Sequence, residues 1–288
     1  MRLESAERSS EKGGNSIVTS AAAVPAAIET RELTRDFGSL RAVDQVTFSV
    51  AAGETFALLG RNGAGKTTVI KMLTTLLPPT TGEARVGGFD VRREPAGVRA
   101  SIGYVPQALS ADGDLTGYEN LLVFAGLYDI PRSEVRSRIG EALELMGLSA
   151  AAGRLVKTYS GGMIRRLEIA QSTLHRPSVL FLDEPTVGLD PVARTAVWEL
   201  LERQRQASKS AILVTTHYLE EAERLCNRVA IMNAGRIAAL GAPSELRSAI
   251  GPQATFEDVF ERHTEGAVEA GSAYVSTSRA RSAAERHG

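Results

Sequence analysis

Phe56-Ala57-Leu58-Leu59 runs directly into Gly60-Arg61-Asn62-Gly63-Ala64-Gly65-Lys66-Thr67-Thr68. The first four residues form a short continuous apolar run, as expected of a strand covered on both faces. The residues from Gly60 to Thr67 fit the pattern G-x-x-x-x-G-K-[ST]. Glycines let the backbone fold tightly enough to aim several N–H groups at phosphate oxygens, and the helix that follows adds its positive end. In such a loop Lys66 reaches the β- and γ-phosphates and the Thr67 hydroxyl holds magnesium. The spacing predicts a helix from about Gly65 to Leu77, ended by Pro78-Pro79.

Outward from this loop the strand–helix pattern repeats. Val46, Phe48 and Val50 alternate with Thr47 and Ser49, which reads as a strand with one wet face. Val179-Leu180-Phe181-Leu182, Ile212-Leu213-Val214 and Val229-Ala230-Ile231 read as further buried strands separated by helical stretches. The expected core is therefore an α/β domain with a largely parallel sheet. From about 108 to 175 no strand pattern occurs. Thr116 and Glu119 form a capping box that opens a helix through Tyr128. Pro131 starts another, with Val135, Ile139, Leu143 and Met146 on one face and Gly147 to stop it. This stretch reads as a helical insert. Residues 1–26 and 265–288, rich in Ser and Ala, are expected to be flexible tails around a domain of 27–264.

Composition narrows the class. With 288 residues and 43% hydrophobic content, the chain is long enough to bury a substantial core. Lys+Arg 33 against Asp+Glu 34 gives a net charge of -1, unlike the basic bias of proteins that coat nucleic acid. A single cysteine, Cys226, forms neither an internal disulfide nor a four-ligand zinc site, and it reads as a small core residue in a reducing, cytoplasmic compartment. The most apolar stretch, Leu121 to Tyr128, would span roughly 12 Å as a helix, against about 30 Å for a membrane core. Work at a membrane would need another protein's helices.

Three further segments carry chemistry. Four apolar residues bring Asp183 and Glu184 to the end of a buried strand, where Asp183 can organise magnesium and Glu184 can polarise an attacking water. His217 ends another strand, after Val214-Thr215-Thr216, and the sheet is expected to set it beside Asp183; a core or surface histidine is the plainer reading. Tyr159-Ser160-Gly161-Gly162-Met163 begins a helix with Ile164, Leu167, Ala170 and Leu174. A hydroxyl and free N–H groups at a helix start form a second anion site, although a simple cap accounts for this segment when it stands alone.

Taken together, these motifs resemble the nucleotide-binding subunit of the ABC transporter family over roughly residues 28–245. GRNGAGKTT stands as the Walker A loop, VLFLDE as the Walker B strand, and YSGGM where the family usually has LSGGQ. Gln107, in Tyr104-Val105-Pro106-Gln107, resembles the Q-loop glutamine, His217 the switch histidine and Asp190 the D-loop aspartate. Phe37 lies where the family stacks an aromatic on adenine, a position that a core phenylalanine could equally fill. The resemblance implies a P-loop NTPase core with an antiparallel β part and an inserted α-helical subdomain. It also implies ATP and Mg2+ as cofactors, with the metal held through Thr67, Gln107 and Asp183. Catalysis would rest on Glu184, His217 and Gln107. ATP would touch Phe37, the whole loop Gly60, Arg61, Asn62, Gly63, Ala64, Gly65, Lys66, Thr67 and Thr68, and also Ser160, Gly161, Gly162 and Asp190.

Two copies would pack head to tail, so that each ATP lies between one loop and the Ser160-Gly161-Gly162 helix of the other copy. The implied partner is a separate integral-membrane permease, with neither nucleic acid nor zinc, and the implied place is the cytoplasmic face of a bacterial cell membrane. Met163 replaces the usual glutamine and Tyr159 the usual leucine, while Ser160, Gly161 and Gly162 remain. Thr215-Thr216-His217-Tyr218-Leu219-Glu220-Glu221 and Phe256-Glu257-Asp258-Val259-Phe260 are similar to daunorubicin-resistance-type export ATPases. The alternatives are a soluble ABC-type ATPase acting on nucleic acid or the ribosome, and a small P-loop kinase. The first usually carries two cassettes or a zinc or coiled-coil module, and the second leaves Gln107 and Ser160 unexplained.

Overall fold

The computed structural model describes residues 26–264. The expected tails fall outside the described residues, except Ala26, which already belongs to the first strand. The chain opens with β1 (Ala26–Phe37) and β2 (Leu40–Ala51), then β3 (Thr55–Leu59) and α1 (Lys66–Leu73). Next come β4 (Thr81–Val86), β5 (Phe89–Asp90), α2 (Pro95–Ser101) and β6 (Ile102–Val105). The insert holds α3 (Gly117–Leu127), α4 (Arg132–Leu145) and α5 (Gly161–Thr173). The chain then runs through β7 (Val179–Asp183), α6 (Pro191–Ser208), β8 (Ala211–Thr216) and α7 (Leu219–Leu225). It continues with β9 (Arg228–Asn233), β10 (Arg236–Gly241), α8 (Pro243–Ile250) and α9 (Phe256–Thr264).

Two sheets result. One is antiparallel with order β2-β1-β4-β5; the other has six strands in the order β10-β9-β3-β8-β7-β6. Within the second, β9, β3, β8, β7 and β6 run parallel and β10 pairs antiparallel with β9. The fold is the expected α/β core with an antiparallel β part and a helical insert.

The apolar runs are continuous because both faces of the central sheet are covered. Alternate residues face opposite ways. Ala57, Leu59, Leu180, Leu182, Ile212 and Val214 join one core with residues of α4, α5, α6 and α7. Phe56, Leu58, Phe181, Leu213 and Met232 join the other, with α1 and the antiparallel sheet. Across that second layer Phe48 stacks on Phe56 with ring centroids 5.1 Å apart, an aromatic pairing that adds about 1 kcal/mol beyond burial. On β2, Val46, Phe48 and Val50 are buried while Thr47 and Ser49 are exposed, as the alternation predicts.

Among the helices and strands, the structure departs from the sequence reading in two places. The helix after the loop ends at Leu73 rather than Leu77. Thr75 takes a left-handed φ of 63°, and its N–H donates to Met72 O while that of Leu77 donates to Lys71 O. The terminal carbonyls are thus satisfied by a turn instead of a further helical turn. The strands β1, β4, β5, β6 and β10 did not stand out in the sequence. In β1 only one face is covered and two of its buried residues, Thr30 and Thr34, are polar. A register shift between Thr30 and Leu33, with Glu32 at φ 48°, further breaks its alternation. The insert behaves as read: the Thr116 and Glu119 capping box opens α3, and Gly147 follows α4 at φ 63°.

Candidate active site

Parallel pairing brings the carboxyl ends of four strands to one edge. Leu59 pairs with Thr216, Asp183 with Thr215 and Val105 with Leu182. Gly60, Gln107, Glu184 and His217 therefore emerge side by side, at the place where open parallel sheets bind ligands.

The loop from Gly60 is held by close backbone approaches. A Cβ on Gly60 would lie 2.6 Å from Met232 O, and one on Gly65 would lie 2.6 Å from Ala42 O. Gly65 also has φ 101°, a backbone conformation that favours glycine. Gly235 N–H donates to Ala64 O, so the β9–β10 turn braces the loop from outside. Gly65 caps α1 without a side-chain hydrogen bond, which leaves the helix's first amides free of a competing acceptor.

Around the loop the charged groups form one buried cluster. Lys66 Nζ donates to Gly60 O at 2.8 Å and lies 3.2 Å from Glu184 Oε1. Thr67 Oγ1 donates to Asp183 Oδ1 at 3.1 Å. Thr215 Oγ1 donates to the same oxygen at 2.6 Å and accepts from Glu184 N at 2.9 Å. Glu184 itself has φ 49°, and Gln107 Nε2 donates to its Oε2 at 3.3 Å. His217 Nδ1 stands 3.5 Å from that oxygen without the alignment of a hydrogen bond. The histidine thus meets Glu184, not Asp183 as its strand position suggested. Burial and the Asp183 charge push the neighbouring Tyr104 hydroxyl up to about 12. The edge combines one ammonium, two carboxylates, an amide and an imidazole beside a helix start whose first amides lack a side-chain cap. It can bind a polyphosphate and hold a carboxylate ready to accept a proton from water.

The other sequence-predicted residues gather elsewhere. Ser160 caps α5, its Oγ accepting from Met163 N at 3.3 Å. Asp190 caps α6 by accepting from Ala193 N at 2.9 Å. The two caps are neighbours, since a Cβ on Gly162 would lie 3.1 Å from Ala193 Cβ. No hydrogen bond or ion pair among the described residues links Ser160, Gly161, Gly162 or Asp190 to the Gly60–Thr68 loop. Phe37, at the end of β1, is 45% exposed, with the Arg35 guanidinium 4.7 Å above its ring.

Residues 43–187 match the ABC transporter family. The chain belongs to that family. It is 46% identical over 225 residues to the daunorubicin/doxorubicin resistance ATP-binding protein DrrA of Streptomyces peucetius, covering 78% of this chain and 68% of that protein. It is 44% identical over 221 residues to the Nod factor export ATP-binding protein I of Paraburkholderia xenovorans, covering 77% and 72%. Among solved structures, the ATP-binding subunit of an ABC transporter superposes with a TM-score of 0.74 at 30% identity, covering 82% of this chain and 99% of that one. The chain is thus an ATP-binding, ATP-hydrolysing ABC subunit. Among its described residues no helix is long and apolar enough to cross a membrane.

Three residues that contact the buried cluster or the Gln107 segment were not picked out from sequence. Thr215 ties the Asp183 carboxylate to the backbone N–H of Glu184, and the hint was a polar pair closing an apolar strand just before His217. Arg165 and Glu168 touch the Gln107 segment from α5. Charges one turn apart on a helix ordinarily read as a solvated face.

Proposed function

We propose that this subunit powers export of a drug or other amphipathic compound through a separate membrane permease. In this proposal it works as a head-to-tail homodimer at the cytoplasmic face of a bacterial membrane. What supports the exporter reading is the similarity to DrrA and to the Nod factor export protein. The observation that carries the dimer reading is the separation of two phosphate-binding devices, a charged one at Gly60–Thr68 and a plain helix start at Ser160–Gly162.

Within one site the roles follow from the contacts. The loop amides and Lys66 take the phosphate tail, and a bound phosphate competes with Glu184 for Lys66. Freed of that ion pair, Glu184 accepts a proton from the attacking water, with Gln107 holding its carboxylate in place and the His217 ring beside it. Magnesium fits the donors present. The Thr67 hydroxyl, the Asp183 carboxylate and the Gln107 amide oxygen are hard oxygen donors that suit a hydrated ion completed by phosphate oxygens. The ion would supply neutralisation of the developing phosphate charge. Phe37 offers an aromatic face to the adenine, and the partner's Ser160-Gly161-Gly162 helix start closes over the γ-phosphate.

Mixing Lys66→Ala chains with Ser160→Asp chains tests the shared site. At ATP concentrations near the unmodified chain's Kd, each variant alone is expected to hydrolyse little ATP, while mixed dimers contain one intact site and recover hydrolysis. Mixed dimers that form without recovering activity, in a system where one intact site turns over, would sink the shared-site reading. For transport, co-expression with the permease should lower doxorubicin accumulation in cells, and Glu184→Gln should abolish that effect.

A further inference from the structure

Helix α5 carries a buried ion pair that these roles leave unused. Arg165 and Glu168 lie one turn apart with side chains 3% and 2% exposed, and Arg165 Nη1 is 3.0 Å from Glu168 Oε2. Desolvating two charges is costly, and such a pair persists where hydrogen bonds satisfy both partners. Here the hydrogen bonds of Arg165 and of Glu168 Oε1 go to one segment, and Glu168 Oε2 has the ion pair alone. Arg165 Nη1 donates to Pro106 O at 2.7 Å and Nη2 to Gln107 O at 2.8 Å. Glu168 Oε1 accepts from the backbone N–H and the hydroxyl of Ser110. A planar guanidinium fork across two successive carbonyls fixes the two peptide planes that meet at the Gln107 Cα, from which its side chain springs.

The far end of α5 is fastened as well. A Cβ on Gly103 would fall 2.1 Å from Ser172 O, so the helix lies directly on β6. Just beyond the helix, His175 Nε2 is 3.0 Å from Ile102 O. The same rigid rod therefore presents Ser160 at its start, clasps the Gln107 segment at its middle and rests on β6 at its end.

We propose that Arg165 and Glu168 are positioning residues that make the placement of the Gln107 amide opposite Glu184 depend on where α5 stands. The inference rests on the reading of Gln107 as a member of the ATP site. It makes α5 a mechanical link between the helix start offered to another copy and the carboxylate that activates water.

A mutant cycle on the full-length chain tests it, with turnover followed on radiolabelled ATP and affinity on a fluorescent ATP analogue. Arg165→Met is expected to lower kcat about tenfold, with ATP Kd within about twofold, because the loop that binds phosphate is untouched. Glu168→Gln, which keeps an acceptor for Ser110 but removes the charge, should give a smaller loss in the same direction. In a Gln107→Ala background Arg165→Met should cause no further loss, because the two act as one unit. An equal drop in both backgrounds, or an unchanged kcat in Arg165→Met alone, would overturn the proposal. Normal turnover in Gln107→Ala alone would instead remove the reading of Gln107, so the two failures are distinguishable. Should Arg165→Met fail to fold, Arg165→Lys carries the same cycle. It keeps the charge beside Glu168 but cannot fork across two carbonyls.

Discussion

Two helices in this protein begin with glycines and a hydroxyl, and their surroundings differ. At the start of α1, Gly65 caps the helix without a side-chain bond, and Lys66, Asp183, Glu184, Gln107 and His217 crowd around it. At the start of α5, Ser160 already satisfies the Met163 amide, and the residues of this chain packed against the glycines are Leu189 and Ala193. The first start offers uncompensated amides and a full catalytic set. The second offers a hydroxyl that can still donate outward while it caps its own helix. One is a site in its own right, and the other is suited to completing a site on another molecule.

Substitutions at the two starts should therefore fail in different ways. The largest effect is expected at Glu184. Glu184→Gln should cut hydrolysis about 100- to 10,000-fold, while equilibrium dialysis still shows ATP bound. Near-normal turnover there would remove Glu184 as the base. Ser160→Asp keeps a good α5 cap but sets a carboxylate against another copy's phosphate. It should leave the melting temperature and single-chain ATP affinity unchanged while lowering hydrolysis about 100-fold. Full activity in that variant would break the contrast between the two starts.

Lys66→Ala removes charge-assisted bonds worth about 1.5–3 kcal/mol. The ATP Kd should therefore rise about 10- to 100-fold, and an unchanged Kd would mean that the loop amides suffice alone. Phe37→Ala should be the mildest, raising the Kd about fivefold through lost base stacking. No change in Kd would place the adenine away from β1.

How much of this could be read from the chain depends on what covers each residue. Phe56–Leu59, Val179–Leu182, Ile212–Val214 and Val229–Ile231 announced themselves because a sheet covered on both faces demands uninterrupted apolar residues. The same logic hid β1, whose buried Thr30 and Thr34 bond within the sheet and the bulge beside them. It also hid β10, where burial and exposure alternate among Ile237, Ala239 and their neighbours without any fully buried residue. In the site, glycine spacing and strand-end acids were visible because each does its work locally. Thr215 was not, since its value lies in a parallel register that sets it against Asp183. Arg165 and Glu168 were hidden for a related reason, because they reach the Gln107 segment only once α5 has docked on β6. Pairwise placement across long sequence separations is what local patterns cannot express.

The placement of β3 has a consequence for the chain as it is being made. The phosphate loop emerges early, yet the two strands that flank β3 are β8 and β9, with Leu59 paired to Thr216 on one side and to Ile231 on the other. Its outer brace, the Gly235 amide on Ala64 O, comes later still. A nascent chain that has displayed the whole loop therefore has no neighbour to hydrogen-bond the strand that aims it, and such non-local pairings form late. Competence to grip ATP is therefore expected only once synthesis has passed the β9–β10 turn, which makes the nucleotide a ligand of chains that already hold β8 and β9.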